Sequence, residues 1–306
     1  MNLLVGSTGF IGSHLVEYLF EQNEISKGIF RKGARLKTMD LNGVQGVEAD
    51  LLDHHSLHEA MEGVDTVYSM ASPSPLEGRD YRINGEGIAN LLDVSREAGV
   101  KTIVHLSTLD VFGFASGKVS DSSRANPARG YQASKLEAEE KLLEFSRIGE
   151  GPRIAIIRSA RAVGSRDDTL VAPLLRMIQS GTVALPESRK MSFSHPKDIA
   201  AAMYTATTRQ LQSGRVFMIK SFDSTASELV SGIAASLGRP LEIKGEGILS
   251  RGGLPAYTRG QLKASLLLEE QPSWSDLGYS PQFDLRKVCQ EIAAWFTKEP
   301  WAVEAS

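Results

Sequence analysis

Apolar residues follow two alternating spacings through roughly the first 220 residues of the chain. Short apolar runs, of which Leu3–Val5 is the first, have the length of buried strands. Between these runs, apolar residues recur every three or four positions, which is the period of a helix that buries one face. The runs predict strands at Leu3–Val5, Gly28–Arg31, Gly46–Ala49, Thr66–Ser69, Thr102–Ser107, Arg153–Arg158 and Val216–Ile219. Strands that alternate with helices predict an α/β fold with a doubly wound parallel sheet.

The first strand runs directly into three glycines at three-residue spacing, Gly6, Gly9 and Gly12, and a helical pattern follows them. In a nucleotide site the first glycine permits a tight turn, and the second lets a pyrophosphate approach the backbone. The third lets the helix pack closely on the strand, so that the N–H groups at the start of the helix face the phosphates. Three such glycines also occur in a plain β-turn-α unit. Their position at the head of an alternating chain favours a Rossmann-type nucleotide-binding domain.

The periodicity weakens after about residue 160, where glycine, serine and proline become more frequent. We therefore expect two lobes that share one continuous core. The nucleotide-binding domain takes residues 1–158, and residues 193–220 return to it with the last strand. Residues 159–192 and 221–306 form a smaller C-terminal lobe, which we expect to bind the substrate.

The bulk composition argues against several classes of protein. The net charge is −3 over 306 residues, so the charge balance gives no reason to expect nucleic acid or an anionic membrane as a partner. No apolar run approaches the roughly 20 residues that span a bilayer, and we expect no signal peptide before the first strand. Cys289 is the only cysteine, which excludes an internal disulfide and a cysteine metal cage. We expect a soluble cytoplasmic protein without a metal site.

A tyrosine and a lysine four residues apart, Tyr131 and Lys135, open one of the helical patterns. Residues at i and i+4 share a helix face, so the phenol and the ammonium point the same way, although an ordinary exposed face has the same spacing. A free tyrosine is a poor proton donor at neutrality, and a nearby cation lowers its pKa. Such a tyrosine can protonate a carbonyl oxygen, or deprotonate an alcohol, during hydride transfer. Ser107 and Thr108 follow the fifth strand, where a hydroxyl can hold the same oxygen.

Together these stretches resemble the extended branch of the short-chain dehydrogenases/reductases, the branch of the NAD(P)-dependent epimerases and dehydratases. The resemblance covers about residues 1–220 and keeps the motifs in order. The matching positions are the glycine turn Gly6–Gly12, Asp50 and Leu51 after the third strand, Ala71 after the fourth, Asn84, the stretch Ser107–Gly113, and Tyr131 with Lys135. The resemblance implies NAD(P)-dependent chemistry and a homodimer that pairs through the helices near 82–98 and 131–147.

By the same resemblance, Tyr131 is the catalytic acid or base, Lys135 lowers its pKa and holds the nicotinamide ribose, and Thr108 positions the substrate oxygen. Asn84 supports a proton relay in this interpretation, and a plain polar helix residue fits that position equally well. The cofactor is then held by the glycine turn, the strand ends and the catalytic pair, through Gly6, Thr8, Gly9, Phe10, Ile11, Gly12, Arg31, Lys32, Asp50, Leu51, Ala71, Ser72, Tyr131, Lys135 and Ser159.

The end of the second strand bears on the choice between the two nicotinamide cofactors. Members that bind NAD place Asp or Glu there, where it takes the ribose 2′-hydroxyl. This chain has Arg31 and Lys32, with Arg35 nearby and no acid in reach. A guanidinium suits a 2′-phosphate, so NADP is the predicted cofactor and NAD the less favoured one. The alternative is that Arg31 and Lys32 are solvated loop charges.

The stretch after the sixth strand departs from the family pattern at two positions. Ser159 stands where proline is common, and Arg161 stands where nucleotide-sugar enzymes have an asparagine that helps to hold a diphosphate. Arg161 is a candidate substrate residue for a carboxylate or phosphate, and pairing with an acid such as Asp167 is the alternative. Asp110 lies where some sugar dehydratases keep a catalytic glutamate, but Leu109 replaces the neighbouring acid, so a loop carboxylate is the favoured interpretation.

Three functions stay open at this point. The favoured one is an NADP-dependent oxidoreductase that interconverts a ketone or aldehyde with an alcohol, acting on a small-molecule substrate. The second is a nucleotide-sugar epimerase or dehydratase, which recycles its cofactor within the site. The third is a non-catalytic protein that senses NADP, and the presence of both Tyr131 and Lys135 argues against it.

Overall fold

The computed structural model describes residues 1–34, 39, 42–73, 75, 80–114, 117–186, 189–245 and 253–300. The strands are β1 Asn2–Val5, β2 Ser26–Phe30, β3 Gln45–Glu48, β4 Thr66–Ser69, β5 Thr102–Thr108, β6 Gly117–Val119, β7 Arg153–Ser159, β8 Arg161–Ala162, β9 Thr182–Leu185, β10 Met191–Ser194, β11 Arg215–Ile219, β12 Phe222–Ser224, β13 Glu242–Gly245 and β14 Leu266–Leu268. The helices are α1 Phe10–Glu21, α2 His54–Ala60, α3 Ile88–Glu97, α4 Tyr131–Ile148, α5 Val171–Gln179, α6 Pro196–Thr208, α7 Ala226–Ser236, α8 Ala256–Ala264, α9 Ser273–Leu277 and α10 Leu285–Lys298. A π-helical turn, Ile83–Gly87, leads into α3, and a 3-10 turn, Leu109–Phe112, follows β5.

Seven strands form one sheet in the order β11-β7-β5-β4-β1-β2-β3, and every neighbouring pair in it is parallel. All seven predicted strands form, and the strand Thr66–Ser69 has the predicted bounds. The predicted α/β fold with a Rossmann-type doubly wound sheet is confirmed. The chain runs outward from β1 to β3, returns to β4 on the other side of β1, and runs outward again to β11. The strand order therefore reverses between β1 and β4, where the carboxyl ends of the strands leave a crevice for a ligand.

Helices cover both faces of this sheet because its strands present apolar residues on both sides. Successive side chains of a strand point to opposite faces, so Leu3 and Val5 of β1 enter one core while Leu4 enters the other. The first core is closed by apolar residues of α2, α3 and α4. The second is closed by α1 and α6, which pack against each other over β1 and β5.

A third apolar core lies outside the central sheet and is built mainly by α5, α7 and α10. Beside it, β12-β10-β8 form a three-stranded sheet, while β13 pairs with β9 and β14 with β6. The return of residues 193–220 brings α6 and β11 to the central sheet, where β11 pairs with β7. The lobe boundaries themselves, 1–158 with 193–220 and 159–192 with 221–306, stay a prediction. Within the described ranges, no helix is long and apolar enough to cross a membrane, and no group of three or more His, Cys, Asp or Glu side chains is arranged to hold a metal ion.

A buried polar network joins helix α1 to the C-terminal helix α10. His14 Nε2 lies 3.3 Å from Ser165 Oγ, and the Ser165 hydroxyl donates to the carboxylate of Glu291. The backbone nitrogen of Ser165 donates to the same carboxylate at 3.1 Å, and His195 Nε2 lies 3.6 Å from it. Burial and, to a smaller extent, the Arg166 guanidinium lower the pKa of His14 to about 4. His14 is therefore neutral at physiological pH.

Candidate active site

The glycine turn between β1 and α1 is so tight that it has no room for side chains. Gly6 has a φ of +95°, and a Cβ there would lie 2.7 Å from the backbone nitrogen of Ala71. A Cβ on Gly12 would overlap the carbonyl oxygen of Gly6. Gly9 is the N-cap of α1, and in the described part of the chain no side chain caps this helix and no acid lies in its first turn. The first N–H groups of α1 are therefore available to an anion such as a pyrophosphate.

A groove of three adjoining pockets runs from this turn along the carboxyl edge of the sheet. Thr8, Arg31 and Asp50 line both the outer pocket and the middle one, and Met70 and Ser72 line both the middle pocket and the inner one. An elongated groove with a phosphate-accepting turn at its centre fits a nicotinamide dinucleotide. The predicted cofactor residues that line it are Gly6, Thr8, Gly9, Phe10, Ile11, Arg31, Lys32, Asp50, Leu51, Ala71, Ser72, Tyr131, Lys135 and Ser159.

The outer pocket bears on the choice between NADP and NAD. Arg31 and Lys32 are exposed there, and neither forms an ion pair within the described ranges. Arg35 lies outside the described residues. Glu48 lines the same pocket, because β3 pairs with β2 in a register that sets Glu48 beside Phe30. The expectation that Arg31 has no acid in reach is therefore wrong, because it rests on neighbours along the chain, whereas the sheet brings Glu48 in from the next strand.

The inner pocket brings the predicted catalytic hydroxyl groups together. Tyr131 begins α4 directly after Gly130, Thr108 ends β5, and both line this pocket. Thr108 Oγ1 accepts a hydrogen bond of 3.1 Å from the backbone nitrogen of Asp110. Within the described ranges this hydroxyl donates to no protein group, so its proton is available to a substrate oxygen. Ser159 stands beside Thr108 in the register of β5 with β7 and lines the same pocket.

Tyr131 is protonated at neutral pH. Burial raises the pKa of Tyr131, the nearby Asp110 carboxylate raises it further, and a hydrogen bond with Ser72 lowers it. Asn84 Nδ2 donates to Ser72 Oγ at 3.3 Å and to Ser134 Oγ at 2.9 Å. A chain of polar groups thus runs from the Tyr131 phenol through Ser72 to Asn84.

Lys135 lies behind the pocket with its side chain buried against β5. Lys135 Nζ donates to the Leu106 carbonyl oxygen at 2.7 Å and lies 3.2 Å from His105 Nε2. Burial lowers the pKa of Lys135 to about 8, and Glu139 opposes that shift. The hydrogen bonds of Nζ within the described ranges go to strand β5, and none goes to the Tyr131 phenol.

His105 has its protonation state fixed by this lysine. Burial lowers the pKa of His105 well below its usual value, and Lys135 lowers it further, so the ring is neutral. Because an ammonium only donates, His105 Nε2 accepts from Lys135 and the ring proton is on Nδ1. Nδ1 lies 3.1 Å from Ser69 Oγ, to which it donates. His105 is thus a buried core residue with both ring nitrogens hydrogen-bonded, and it also holds the predicted catalytic lysine.

Two side chains of the small lobe donate hydrogen bonds to the Asp110 carboxylate, and neither was a predicted site residue. Tyr257 Oη and Gln261 Nε2, both on α8, donate to Asp110 Oδ2 at 2.8 and 2.7 Å. The rings of Tyr257 and Tyr131 meet edge to face with centroids 5.6 Å apart. No sequence signal marked Tyr257 or Gln261, because they lie 147 and 151 positions from Asp110 along the chain.

Arg161 lines the inner pocket and is paired with Asp167, and its role as a substrate residue stays a prediction. Arg161 Nη2 lies 3.2 Å from Asp167 Oδ2 and donates to Thr169 Oγ1 at 2.6 Å. Arg161 Nε is buried and has no partner within the described ranges. The alternative stated from the sequence, an ion pair with Asp167, therefore forms.

The model of the NAD-dependent epimerase/dehydratase family matches residues 2–219 of this chain. Sterol demethylase protein B of Methylococcus capsulatus is 24% identical over 249 residues, which cover 78% of this chain and 75% of that protein. A putative dihydroflavonol 4-reductase of Synechocystis is 28% identical over 173 residues, 54% of this chain and 50% of that protein. The chain thus spans about half the length of the second relative.

One solved structure illustrates the likeness in fold. It is a UDP-glucose-4-epimerase of Stenotrophomonas maltophila with bound NAD and formylated UDP-arabinopyranose. It superposes with a TM-score of 0.83, covers 98% of this chain and 99% of that one, and is 18% identical in sequence. At this identity the comparison concerns the fold alone.

Proposed function

The chain belongs to the NAD-dependent epimerase/dehydratase family, within the extended short-chain dehydrogenases/reductases, and on that premise we propose that it is an NADP-dependent oxidoreductase interconverting a ketone or aldehyde with the matching alcohol. The observation that carries the proposal is the meeting of Tyr131 and Thr108 in one pocket, which adjoins the pocket of the glycine turn. A homodimer and a cytoplasmic location stay predictions.

The residues of the groove define how the cofactor is held. The N-terminus of α1 and the glycine turn take the pyrophosphate, Asp50 takes the adenine end, and Arg31 takes the 2′-phosphate that distinguishes NADP from NAD. The bound dinucleotide supplies hydride to the carbonyl carbon or accepts it from the alcohol carbon. Glu48 has the opposite effect to Arg31 on cofactor specificity. An acid at that edge of the sheet favours the free ribose 2′-hydroxyl of NAD over the 2′-phosphate of NADP.

The acid and base roles follow from the protonation states of the pocket. Tyr131 is protonated because burial and Asp110 raise its pKa, so it donates its phenol proton to the carbonyl oxygen in the reduction. Thr108 donates a second hydrogen bond to the same oxygen and stabilises the negative charge that develops there. Lys135 carries a positive charge below about pH 8, which stabilises the phenolate that is left. Ser72, which Asn84 holds by a hydrogen bond, hydrogen-bonds the Tyr131 oxygen and stabilises the phenolate until a proton from solvent restores the phenol.

The test is NADPH oxidation, followed by absorbance, against a panel of ketones and aldehydes with NADH alongside. We expect turnover with NADPH, and we expect Tyr131→Phe to lose about 100-fold or more of it because the proton donor is gone. Tyr204→Phe is the matched control, since its hydroxyl bonds Glu24 at the surface, away from the groove. A Tyr131→Phe variant that retains its rate would refute the assignment of the acid.

A nucleotide-sugar epimerase or dehydratase is the second candidate, favoured by the family match and by the likeness to UDP-glucose-4-epimerase. The cations that line the inner pocket within the described ranges are Lys135 and Arg161, and both are engaged by the protein. A diphosphate would have to draw Arg161 from Asp167. Conversion of UDP-sugars without net change of the cofactor, in an enzyme that oxidises no NADPH with carbonyl compounds, would favour this candidate over the reductase. Tight NADP binding with neither activity would favour the sensor.

A further inference from the structure

The carboxylate of Asp110 lines the inner pocket, and the proposed reaction uses it only through its effect on the pKa of Tyr131. Asp110 is 7% exposed, lies two residues after Thr108, and lines the same pocket as Tyr131. A buried charge costs several kcal/mol of stability unless it is bonded, so the rest of the chain has to hold it in place.

The small lobe holds this carboxylate by one oxygen. Tyr257 and Gln261 both donate to Oδ2, at 2.8 and 2.7 Å, from adjacent turns of α8. No donor in the described parts of the chain bonds to Oδ1. The ring of Tyr257 also packs on the ring of Tyr131, so one residue fixes the carboxylate and the proton donor relative to each other. Asp110 therefore presents a fixed acceptor oxygen beside the catalytic phenol.

The charged groups around Asp110 limit which kind of substrate group can donate a hydrogen bond to its carboxylate. Burial raises the pKa of Asp110, while the hydrogen bonds from Tyr257 and Gln261 and the nearby Arg161 guanidinium, which pairs with Asp167, oppose that rise. A substrate carboxylate or phosphate placed here would meet the Asp110 carboxylate, and an ammonium would meet the Arg161 guanidinium. A neutral hydroxyl avoids both repulsions and donates a charge-assisted hydrogen bond.

We propose that Asp110 is the specificity-determining residue of the site and that the substrate is a neutral hydroxy ketone or hydroxy aldehyde. Its hydroxyl donates to the Asp110 carboxylate while its carbonyl oxygen takes the Tyr131 proton. The inference rests on the proposed reductase function. In the reaction, hydride adds to the carbonyl carbon, the phenol proton goes to the carbonyl oxygen, and the hydroxyl at Asp110 keeps its proton, so the product is a diol.

The test compares two ketones that differ only in a donor, 4-hydroxy-2-butanone and 4-methoxy-2-butanone. In the wild-type enzyme with NADPH, we expect kcat/KM to be about tenfold or more higher for the hydroxy ketone, since the ether cannot donate to a charged acceptor. Asp110→Asn should reduce this ratio to about one, because the neutral amide removes the charged acceptor and puts an N–H donor where the substrate hydroxyl donates. Asp276→Asn is the matched control, as Asp276 lies in a surface ion pair with Arg215, and it should keep the wild-type ratio.

Two outcomes would overturn the inference: equal kcat/KM for the two ketones in the wild type, or an unchanged ratio in Asp110→Asn. A purely structural contact between the lobes would lower the melting temperature of Asp110→Asn and leave the ratio as it was. If Asp110→Asn does not fold, Gln261→Leu removes one of the donors that fix the carboxylate, and the ratio should fall there too.

Binding separates this inference from the reductase proposal. Saturation-transfer NMR on the NADP-loaded protein measures the affinity of the same two ketones without turnover. If the wild type binds the hydroxy ketone more tightly and Asp110→Asn does not, the role of Asp110 is supported. This holds even if no carbonyl compound oxidises NADPH, because that failure would overturn the reductase proposal alone. Equal binding of the hydroxy and methoxy ketones to the wild type would overturn the role of Asp110.

Discussion

Replacing His105 by phenylalanine removes the one side chain that accepts a hydrogen bond from Lys135 Nζ within the described ranges. Phenylalanine fills the buried volume of the imidazole without an acceptor, so the ammonium keeps the Leu106 carbonyl oxygen as its partner. A hydrogen bond to a charged group contributes about 1.5–3 kcal/mol, and one pKa unit corresponds to about 1.36 kcal/mol. Losing the lower value moves the pKa of Lys135 from about 8 to roughly one unit lower.

The consequence is a shift of the alkaline limb of the pH–rate profile. The pKa of Lys135 is already below its usual value, so its ammonium is present at low pH and is lost as the pH rises through about 8. In His105→Phe the loss comes about one pH unit earlier. At pH 7.5 the charged fraction then falls from about three quarters to about one quarter. The acid limb does not depend on Lys135 and should stay where it is.

The assay is kcat/KM for NADPH-dependent reduction between pH 6 and 9.5. His105→Gln is the matched control, because its amide oxygen can accept from Lys135 and should restore part of the alkaline limb. Thermal melting of each variant separates this effect from misfolding, since Ser69 also loses its partner on His105. An alkaline limb that is the same in His105→Phe and the wild type would refute the reasoning.

Three further predictions follow from the groove and from the buried network. Arg31→Asp should change the ratio of kcat/KM for NADPH to that for NADH by about tenfold or more toward NADH. Glu48→Gln should change the same ratio toward NADPH. An unchanged ratio in both variants would show that neither side chain contacts the 2′ position of the ribose. Gly12→Ala should weaken NADP binding about tenfold or more in a titration, because its Cβ overlaps the Gly6 carbonyl oxygen. Between pH 7.5 and 5 the wild type should lose about 2 kcal/mol of unfolding free energy through His14, whose unfolded form takes up a proton below about pH 6.5 while the folded form does not. Urea unfolding of His14→Gln should lack that part of the pH dependence.

The architecture of the central sheet followed from the sequence because it depends on local periodicity. Strand β4, Thr66–Ser69, has the predicted bounds, and α4 begins at Tyr131 as predicted. The residue that caps the N-terminus of a helix is harder to predict, because several nearby side chains can serve. Ser56 stands three residues before Glu59, which is the spacing of a capping box, but Asp53 caps the helix by accepting from the backbone nitrogen of His55, and the helix begins two residues before Ser56.

The parts of the site that the sequence analysis missed are contacts between distant segments. Glu48 reaches the pocket of Arg31 only through the register of β3 with β2. Tyr257 and Gln261 reach Asp110 because β6 and β14 pair, each only three residues long, and such short strands leave too little periodicity to detect. The bond between His105 and Lys135 joins a strand to a helix 30 positions later. Contacts between residues that lie far apart along the chain cannot be predicted from any single stretch of sequence.

The contact of Glu291 with Ser165, and through it with His14, has a consequence for protein engineering. The match to the family model ends at residue 219, so Glu291 lies outside the matched part of the chain. A chimera whose C-terminal segment had no carboxylate at this position would leave Ser165 and His14 without the group that closes their network at helix α1. Lobe exchange aimed at a new substrate range must therefore carry Glu291 as a fixed position, while the Asp110-facing surface of α8 is the segment to vary.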